Sequence, residues 1–165
     1  PPQDYVFDGA DGPERLSELF GEHDTLIVYH LMYGPERARG CPMCAALLDA
    51  WDGEARHIGK RVSLVVLARS PIGRILSFAR ERGWTQLKFL SDGSGDFWED
   101  YGGGRDADMP AYTIFTRRDG TVRHFYSGEG GYEIADPGQD PHAAPDMNPL
   151  WVLLDTVPEG RGADW

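Results

Sequence analysis

Apolar residues occur along the chain in short blocks that polar and glycine-containing segments separate. Near-continuous apolar runs at residues 24–33 and 62–68 have the length of strands and predict two buried central strands. Between them, apolar residues recur at helical spacing from Pro42 onwards, which predicts an amphipathic helix. Gly53 lies inside this pattern and marks a position for a kink or an early end of the helix.

The second half of the chain predicts another helix and a hairpin. The helix follows Ser70–Pro71, a good N-cap and first helical position, and stops at Gly83. Alternating runs at 111–116 and 121–126 flank Asp119–Gly120 and predict a β-hairpin. Weaker patterns predict short elements: an edge strand or hairpin start at 4–7, a helical turn at 14–20, an apolar segment at 87–90, a helical turn at 96–101 and a final helix at 150–156.

The order of these elements indicates the fold class. Strand–helix–strand units imply right-handed parallel crossovers, and the later hairpin adds antiparallel strands. The prediction is an α/β fold, a three-layer α/β/α sandwich with a mixed central sheet. A single domain is expected over residues 1–165, with 1–23 as an N-terminal extension and 127–149 as a long loop without periodicity.

Composition and charge narrow the classes of function. Of the 165 residues, 41% are hydrophobic and 12% aromatic, which is enough for a core and excludes a disordered chain. No window approaches the ~18 consecutive apolar residues of a membrane span. Lys and Arg total 16 against 27 Asp and Glu, and the resulting net charge of −11 disfavours nucleic-acid partners and anionic membrane surfaces.

Location and assembly are only weakly indicated by the sequence. The chain does not open with the basic and apolar regions of a secretion signal, and we expect a cytoplasmic protein. It begins at Pro1 without a methionine, so a removed leader stays an open alternative. An exposed edge strand likewise leaves a homodimer open.

Two cysteines, Cys41 and Cys44, carry the most informative chemistry in the chain. Cys41 ends the loop after a predicted central strand, and Cys44 lies on the first turn of the predicted helix. The unpaired N–H groups and partial positive charge of a helix N-terminus favour a thiolate, so we expect a lowered thiol pKa. The more exposed Cys41 would attack a substrate disulfide, and the deeper Cys44 would resolve the mixed disulfide.

Two other interpretations of the cysteine pair stay open. One is a copper(I) or zinc site, which needs ligands beyond the two cysteines. Those ligands would come from histidine or methionine: His30, His57, His124, Met32 or Met43. The other is a non-catalytic binding domain that uses the 128–149 segment as a lid or partner surface.

Charged residues precede the cysteine pair. Arg37 and Arg39 lie in the loop before Cys41 and are expected to lower its pKa or to steer an anionic substrate, with a solvated loop as the alternative. We also consider His30, on the preceding strand, as a modulator of the site, with a buried structural histidine as the alternative.

The residues around the pair resemble a known superfamily. The segment DTLIVYHLMYGPERARGCPMC is similar to the strand–loop–CxxC–helix segment of the thioredoxin superfamily. Met109–Pro110, ahead of an apolar strand, resembles the superfamily's cis-proline loop, which packs against the active-site cysteines and helps to hold extended substrate. The resemblance implies a cis peptide bond at Pro110 and substrate contacts at Met43, Met109 and Pro110.

The chain as a whole resembles a bacterial thioredoxin-like family catalogued as a domain of unknown function. Its opening segment also resembles the hairpin and short helix of peroxiredoxin-like members. The resemblance covers nearly all of the chain and lies in these stretches: CPMC, ARSPIGRILSFARERGW, RRDGTVRHFYSGEGG and LLDTVPEGRGADW. It implies a thioredoxin-like fold, and it implies redox function by analogy.

The active-site segment departs from thioredoxins in two respects. Pro-Met stands between the cysteines where thioredoxins have Gly-Pro, and a proline in the first position is similar to glutaredoxins and to oxidising periplasmic enzymes. The buried acid that thioredoxins carry on the preceding strand is absent. Tyr29 or His30 would take its place, and strand alternation lets only one of them face the helix.

The sequence motifs of two related activities are absent. Peroxiredoxins need Pro-x-x-x-Thr/Ser-x-x-Cys, and here Gly34 and Ala38 occupy those positions before Cys41. Glutaredoxins hold glutathione with a Gly-Gly-x-x-Asp turn, and here Gly130–Gly131 is followed by an acid only at Asp136. The sequence therefore predicts neither peroxidase activity nor glutathione binding.

The leading prediction is a thiol–disulfide oxidoreductase. Its substrate would be a protein or small-molecule disulfide or thiol, and its electrons would come from a thiol reductant. The redox-active disulfide replaces any organic cofactor, and no resident metal is expected.

Overall fold

Every element that the hydrophobic pattern predicts is present in the computed structural model of the protein, which describes residues 3–129, 147–154, 156–158 and 160. The strands are β1 Val6–Gly9, β2 Gly12–Arg15, β3 Thr25–His30, β4 Ser63–Ala68, β5 Lys88–Ser91, β6 Ala111–Arg118 and β7 Thr121–Glu129. The helices are α1 Pro42–Ile58, α2 Ile72–Arg82, α3 Asp96–Tyr101 and α4 Pro149–Leu154, with one 3₁₀ turn at Leu16–Glu18.

One mixed sheet contains all seven of these strands, in the order β2-β1-β5-β4-β3-β6-β7. The two apolar runs, β3 and β4, are parallel neighbours at its centre, and β5 extends the parallel part. The hairpin β6–β7 pairs antiparallel against the other side of β3. The N-terminal residues add β1 and β2 at the far edge, so the predicted N-terminal extension is part of the sheet.

Alternation along the strands divides the core into two layers. On one face, Tyr29, Leu31 and Val66 pack against buried residues of α1 and α2. On the other, Val28, Val65 and Leu67 pack against the 3₁₀ turn and α3. The result is the predicted three-layer sandwich, with the amino end of α1 lying just beyond the carboxyl end of β3.

The hairpin turn shows why glycine stands at its second position. Arg118 pairs with Thr121, so only Asp119 and Gly120 form the connection. Both have positive φ, 52° and 70°, as a tight two-residue turn with the right-handed twist of its strands requires.

Two boundaries differ from the sequence prediction. Helix α1 runs unbroken through Gly53 to Ile58, because Trp51 before the glycine is buried in the core and Ile58 after it packs, partly buried, against the same cluster. Strand β7 continues to Glu129, because Ser127, Gly128 and Glu129 still pair with β6. The predicted long loop at 127–149 therefore starts too early, and most of it lies outside the described residues.

A chain of hydrogen bonds links a buried histidine to the surface. His30 Nε2 lies 3.0 Å from Thr113 Oγ1, Ser127 donates to the same oxygen at 3.3 Å, and His124 Nε2 lies 2.8 Å from Ser127 Oγ. His30 is fully buried between these hydrogen-bonded side chains and the rings of Phe97 and Trp98. Burial lowers the pKa of His30 to about 3, so the ring is neutral near neutral pH.

None of the helices within the described ranges combines the length and the apolar character that a membrane span needs.

Candidate active site

The loop that leaves β3 returns the chain to the strand's carboxyl end. The Cys41 N–H donates to the Met32 carbonyl at 3.0 Å, which fixes the cysteine beside the exit of β3. Cys41 is the N-cap residue of α1 and Pro42 begins the helix, a position where a missing N–H costs no hydrogen bond. The predicted placement of the pair at a helix N-terminus is confirmed.

Both cysteines are free thiols inside the apolar layer between the sheet and α1. Cys41 is 8% exposed and Cys44 3% exposed, so Cys41 is the outer of the two, as expected. Little of Cys41 therefore meets solvent, and Cys44 is closed off from a bulky reactant.

The two sulfurs have very different acidities. A hydrogen bond from the Cys44 thiol lowers the pKa of Cys41 to about 5, and the backbone N–H groups of Cys44 and Met43 act in the same direction. These backbone N–H groups lower the Cys41 pKa although the Cys41 side chain forms no regular helix-capping hydrogen bond. The same sulfur–sulfur hydrogen bond, together with burial, raises the pKa of Cys44 well above that of a free cysteine. Near neutral pH, Cys41 is a thiolate and Cys44 its proton-bearing partner.

Tyr29 faces the cysteines from β3. Its side chain is buried in the same apolar cluster as Cys41 and Cys44, and its ring packs edge-on against Trp51 at a centroid distance of 5.3 Å. Strand alternation allows only one of Tyr29 and His30 to face α1, and that residue is Tyr29. The prediction of His30 as a modulator is wrong, because His30 lies on the opposite face of the sheet, against α3.

Arg37 supplies the positive charge near Cys41. Its guanidinium lowers the pKa of Cys41 by charge attraction, and it also forms an ion pair with Asp108, from the loop before β6. The prediction of the same role for Arg39 is wrong: that side chain is 72% exposed and turns away to Glu81, 2.7 Å from its carboxylate.

Arg74, on the first turn of α2, holds the loop that carries Arg37. Its guanidinium donates to the carbonyls of Pro35 and Arg37 and lies over the Tyr33 ring, 5.0 Å from its centroid. This anchor fixes the loop backbone just ahead of Cys41, and with it the position of the Arg37 charge.

The three residues predicted to contact substrate differ in their exposure to solvent. Met43 is partly buried against the cysteine layer, Pro110 is buried, and Met109 is 59% exposed. Asp108 accepts a hydrogen bond from the Gly34 N–H at 3.1 Å, which ties the segment before Met109 to the loop before Cys41.

The predicted cis bond at Pro110 is wrong, since the described part of the chain contains no cis peptide bond. Trans is the ordinary form even before proline, favoured by about 0.5–1 kcal/mol. With Asp108 held by Arg37 and Gly34, the chain reaches β6 at Ala111, opposite His30, in the trans form.

A metal site at the cysteines would need further ligands, and none of the three histidines considered for that role lies beside the pair. His30 and His124 pack on the α3 side of the sheet, and His57 lies in the last turn of α1, about 20 Å along the helix from Cys44. Across residues 3–129 and the described parts of the C-terminal segment, no group of three or more His, Cys, Asp or Glu side chains is arranged to hold a metal ion.

Sequence reasoning missed two residues that shape the site, Asp108 and Arg74, and it left Tyr29 as one of two candidates on β3. Asp108 is 71 residues from its partner Arg37, and Arg74 is 37 residues from the same loop residue. Only strand alternation gave a signal, and it reduced the choice on β3 to two residues without deciding between them.

Opposite substitutions of the ion pair are expected to move the Cys41 pKa in opposite directions. Asp108→Asn leaves the Arg37 charge facing the thiolate unopposed and lowers the pKa, whereas Arg37→Gln raises it. Each shift should stay within about one unit, because both side chains are partly exposed to screening solvent. Thiolate absorbance measured against pH reads the pKa directly.

Arg39→Gln is the matched control, because it removes an arginine from the same loop whose charge is paired with Glu81 instead. Shifts of the same sign in Asp108→Asn and Arg37→Gln, or an equal shift in the control, would contradict the assignment of the charge to Arg37.

The fold and the cysteine pair together define a class. A curled mixed sheet between helices, with a CxxC pair at the N-terminus of the first long helix, is the thioredoxin-like fold. Within it, the chain belongs to the family described as "Bacterial protein of unknown function (DUF899)", whose model matches residues 2–165. No curated protein matches the sequence.

Solved structures show the same fold at low identity. The exposed lipoprotein thioredoxin of Streptococcus pneumoniae superposes with a TM-score of 0.58 at 20% identity, covering 79% of this chain and 92% of that one. A peroxidoxin of Mycobacterium tuberculosis gives 0.56 at 20% identity, with coverages of 69% and 75%. The bacterioferritin comigratory protein of Xanthomonas campestris gives 0.57 at 12% identity, with coverages of 76% and 80%.

Proposed function

We propose that the protein is a thiol–disulfide oxidoreductase in which Cys41 is the nucleophile and Cys44 the resolving cysteine. The observation that carries the proposal is the position of the pair at the start of α1, where Cys41 is the outer, N-cap residue and Cys44 is buried on the first turn. A thiolate, not a thiol, attacks a disulfide. The Cys44 thiol, the backbone N–H groups at the start of α1 and Arg37 all lower the pKa of Cys41 and so favour a thiolate there near neutral pH.

The reaction has two exchange steps. In the first, the Cys41 thiolate attacks one sulfur of a substrate disulfide, the substrate S–S bond breaks, and one substrate thiolate leaves and is protonated. In the second, Cys44 loses its proton to the departing thiolate and its sulfur bonds to Cys41 Sγ. The substrate gains two electrons and two protons, and the enzyme is left with a Cys41–Cys44 disulfide.

The substrate and its surroundings form part of the proposal. We expect a protein or small-molecule disulfide as oxidant, a thiol reductant that restores the dithiol, and a cytoplasmic location. The names of the fold neighbours, a thioredoxin and peroxide-reducing proteins, support thiol chemistry on this scaffold but identify no substrate. The exposed side chain of Met109, close in the fold to the cysteine loop, supports an apolar contact to substrate.

Reaction with a small aromatic disulfide tests the proposal. The reduced wild-type protein should release two equivalents of thiol and end two hydrogens lighter by intact mass, with no adduct. Cys44→Ser should release one equivalent and retain one probe molecule on Cys41, because no second sulfur is in reach. Wild-type protein that neither forms an adduct nor releases thiol near neutral pH would overturn the proposal.

A further inference from the structure

We propose that a cleft between α2 and the loop before Cys41, residues 33–40, binds the carboxylate of a small-molecule disulfide or thiol substrate. The side chains that line this α2 cleft come from both segments: Tyr33, Arg39, Arg74, Ser77, Phe78 and Glu81. The assignment rests on the proposed function and deepens it, because it gives the substrate a negative charge close to its reacting sulfur.

The floor of the α2 cleft is aromatic and reaches the residue that precedes Cys41. Tyr33 and Phe78 are 5% and 7% exposed, and their rings meet edge to face at a centroid distance of 5.5 Å. The backbone of Gly40 lies so close to the Phe78 ring that a Cβ at this position would overlap it, so only glycine fits there. The floor therefore extends to the position next to the nucleophile, whose side chain belongs to the same apolar cluster as both rings.

One side of α2 forms the outer wall of the cleft. Arg74, Ser77 and Glu81 follow one another at intervals of three and four residues, which places them on the same side of the helix. Ser77 and Glu81 are exposed at the rim, and Arg39 joins the rim from the loop through its ion pair with Glu81 at 2.7 Å. The cavity has a volume of about 170 Å³, which is room for a carboxylate on a short apolar stem.

Arg74 gives the cleft a positive charge that no neighbouring carboxylate cancels. Its guanidinium donates to two backbone carbonyls of the loop, one of them at 2.8 Å, and lies 5.0 Å from the centroid of the Tyr33 ring. These contacts hold the guanidinium in place but leave its full charge. Among the described residues, no acidic side chain forms an ion pair with Arg74, whereas Glu81 balances the charge of Arg39.

A carboxylate is the group that these features fit best. A guanidinium has five N–H donors in a planar fork, and the loop carbonyls leave some of those of Arg74 for a ligand. Hydrogen bonds between a guanidinium and a carboxylate are charge-assisted and stronger than neutral ones. The Ser77 hydroxyl, one turn further along α2, supplies another donor at the rim.

A carboxylate bound there holds the attached sulfur beside the nucleophile. The Cys41 thiolate then forms a disulfide bond with one substrate sulfur and the S–S bond of the substrate breaks. The other half leaves as a thiolate and takes up a proton. The cleft thus selects the substrate by its charge, and the chemistry stays with the cysteine pair.

Three aliphatic disulfides of similar size test the charge preference: the anionic dithiodipropionate, its neutral diamide and the cationic cystamine. Every protein compared carries Cys44→Ser, so each reaction stops at one adduct on Cys41, which rapid quenching and intact mass measure. We expect Arg74→Gln to lower the ratio of the dithiodipropionate rate to the cystamine rate roughly 5-fold to 10-fold. A merely structural loss of the loop contacts would slow all three probes alike and leave this ratio unchanged.

Two variants at the rim change the charge of the cleft without removing a contact to the loop backbone. Glu81→Gln frees the charge of Arg39 and should raise the ratio, whereas Ser77→Asp places a carboxylate beside Arg74 and should lower it. Both positions are exposed, so the fold should persist. Arg80→Gln is the matched control, because it removes an exposed arginine of the same helix that does not line the cleft, and its ratio should stay near that of the unmodified cleft.

An unchanged ratio in Glu81→Gln and Ser77→Asp, together with equal slowing of all three probes in Arg74→Gln, would overturn the assignment. Binding is also measurable without exchange in Cys41→Ser, which keeps the cleft and lacks the nucleophile. There dithiodipropionate should shift the backbone amide NMR signals of Ala38 and Ser77, and adding Arg74→Gln should abolish the shifts. If the wild-type protein reacts with no disulfide but these shifts are present, the proposed function fails and the carboxylate site stands. Exchange without these shifts would mean the reverse.

Discussion

Replacing Cys41 with serine should abolish disulfide exchange, the largest loss of activity that we expect from any single substitution. With a pKa of about 5, Cys41 carries nearly all of the thiolate in the wild-type protein near neutral pH. The remaining Cys44 is 3% exposed, and burial still raises the pKa of its thiol. No reactive sulfur then faces solvent, so the rate of thiol release from an aromatic disulfide should fall by several orders of magnitude.

The matched variant is Cys44→Ser, which keeps the nucleophile and loses only resolution. It should form its adduct at a rate near that of wild type, and the adduct should persist. Its Cys41 pKa should rise, since the hydrogen bond from Cys44 is the largest influence lowering it. A Cys41→Ser protein that still exchanges disulfides at the wild-type rate would show that Cys44 is the nucleophile.

Acid should destabilise the protein through His30, and this is the largest stability effect that we expect from a single titrating group. The buried ring has a pKa of about 3 against 6.5 for a free histidine. The unfolded chain therefore takes up a proton below about pH 6.5 that the folded protein excludes, and stability falls as pH drops from there toward 3. Between about pH 7 and about pH 4 the free energy of unfolding should fall by roughly 3 kcal/mol from this group.

Denaturant unfolding at several pH values measures the effect. His30→Gln, which cannot be protonated and can still reach Thr113, should remove this part of the pH dependence while keeping the fold. His124→Gln is the control, because it changes an exposed histidine at the other end of the same hydrogen-bond chain. If wild type and His30→Gln lose stability in parallel on acidification, His30 is not the group responsible.

The arrangement of helices and strands could be predicted because it depends on local signals. Two apolar runs of strand length, a helix that starts at Pro42 and a hairpin at Asp119–Gly120 are each encoded within a few residues. The end of α1 could not be predicted the same way. Gly53 weakens the helix locally, and packing of Trp51 before it and Ile58 after it against the core carries the helix past it.

The candidate site also combines features that neighbouring residues predict with features that depend on distant residues. The cysteine pair at a helix N-terminus follows from adjacent residues, and so does the lowered pKa of Cys41. The choice of Arg37 over Arg39 depends on distant carboxylates, since one arginine is drawn to Asp108 beside the site and the other to Glu81 on α2. Two arginines in one loop carry no sequence signal for that difference.

The choice between Tyr29 and His30 has a similar cause. Adjacent residues on a strand face opposite layers, and which layer each meets depends on where α1 and α3 dock. The tyrosine meets the cysteines, and the histidine meets Phe97 and Trp98. The cis bond at Pro110 was implied by resemblance alone, and the chain reaches β6 without it.

A redox titration of the Cys41–Cys44 pair in thiol–disulfide buffers, read by alkylation and intact mass, tests the central claim most directly. We expect one reversible two-electron transition between dithiol and disulfide, with a potential in the range of roughly −120 to −270 mV spanned by known exchange proteins. The low pKa of Cys41 stabilises the reduced form and favours the less negative end of that range. Two thiols that form no disulfide at any poise would contradict the assignment of the pair as a redox centre.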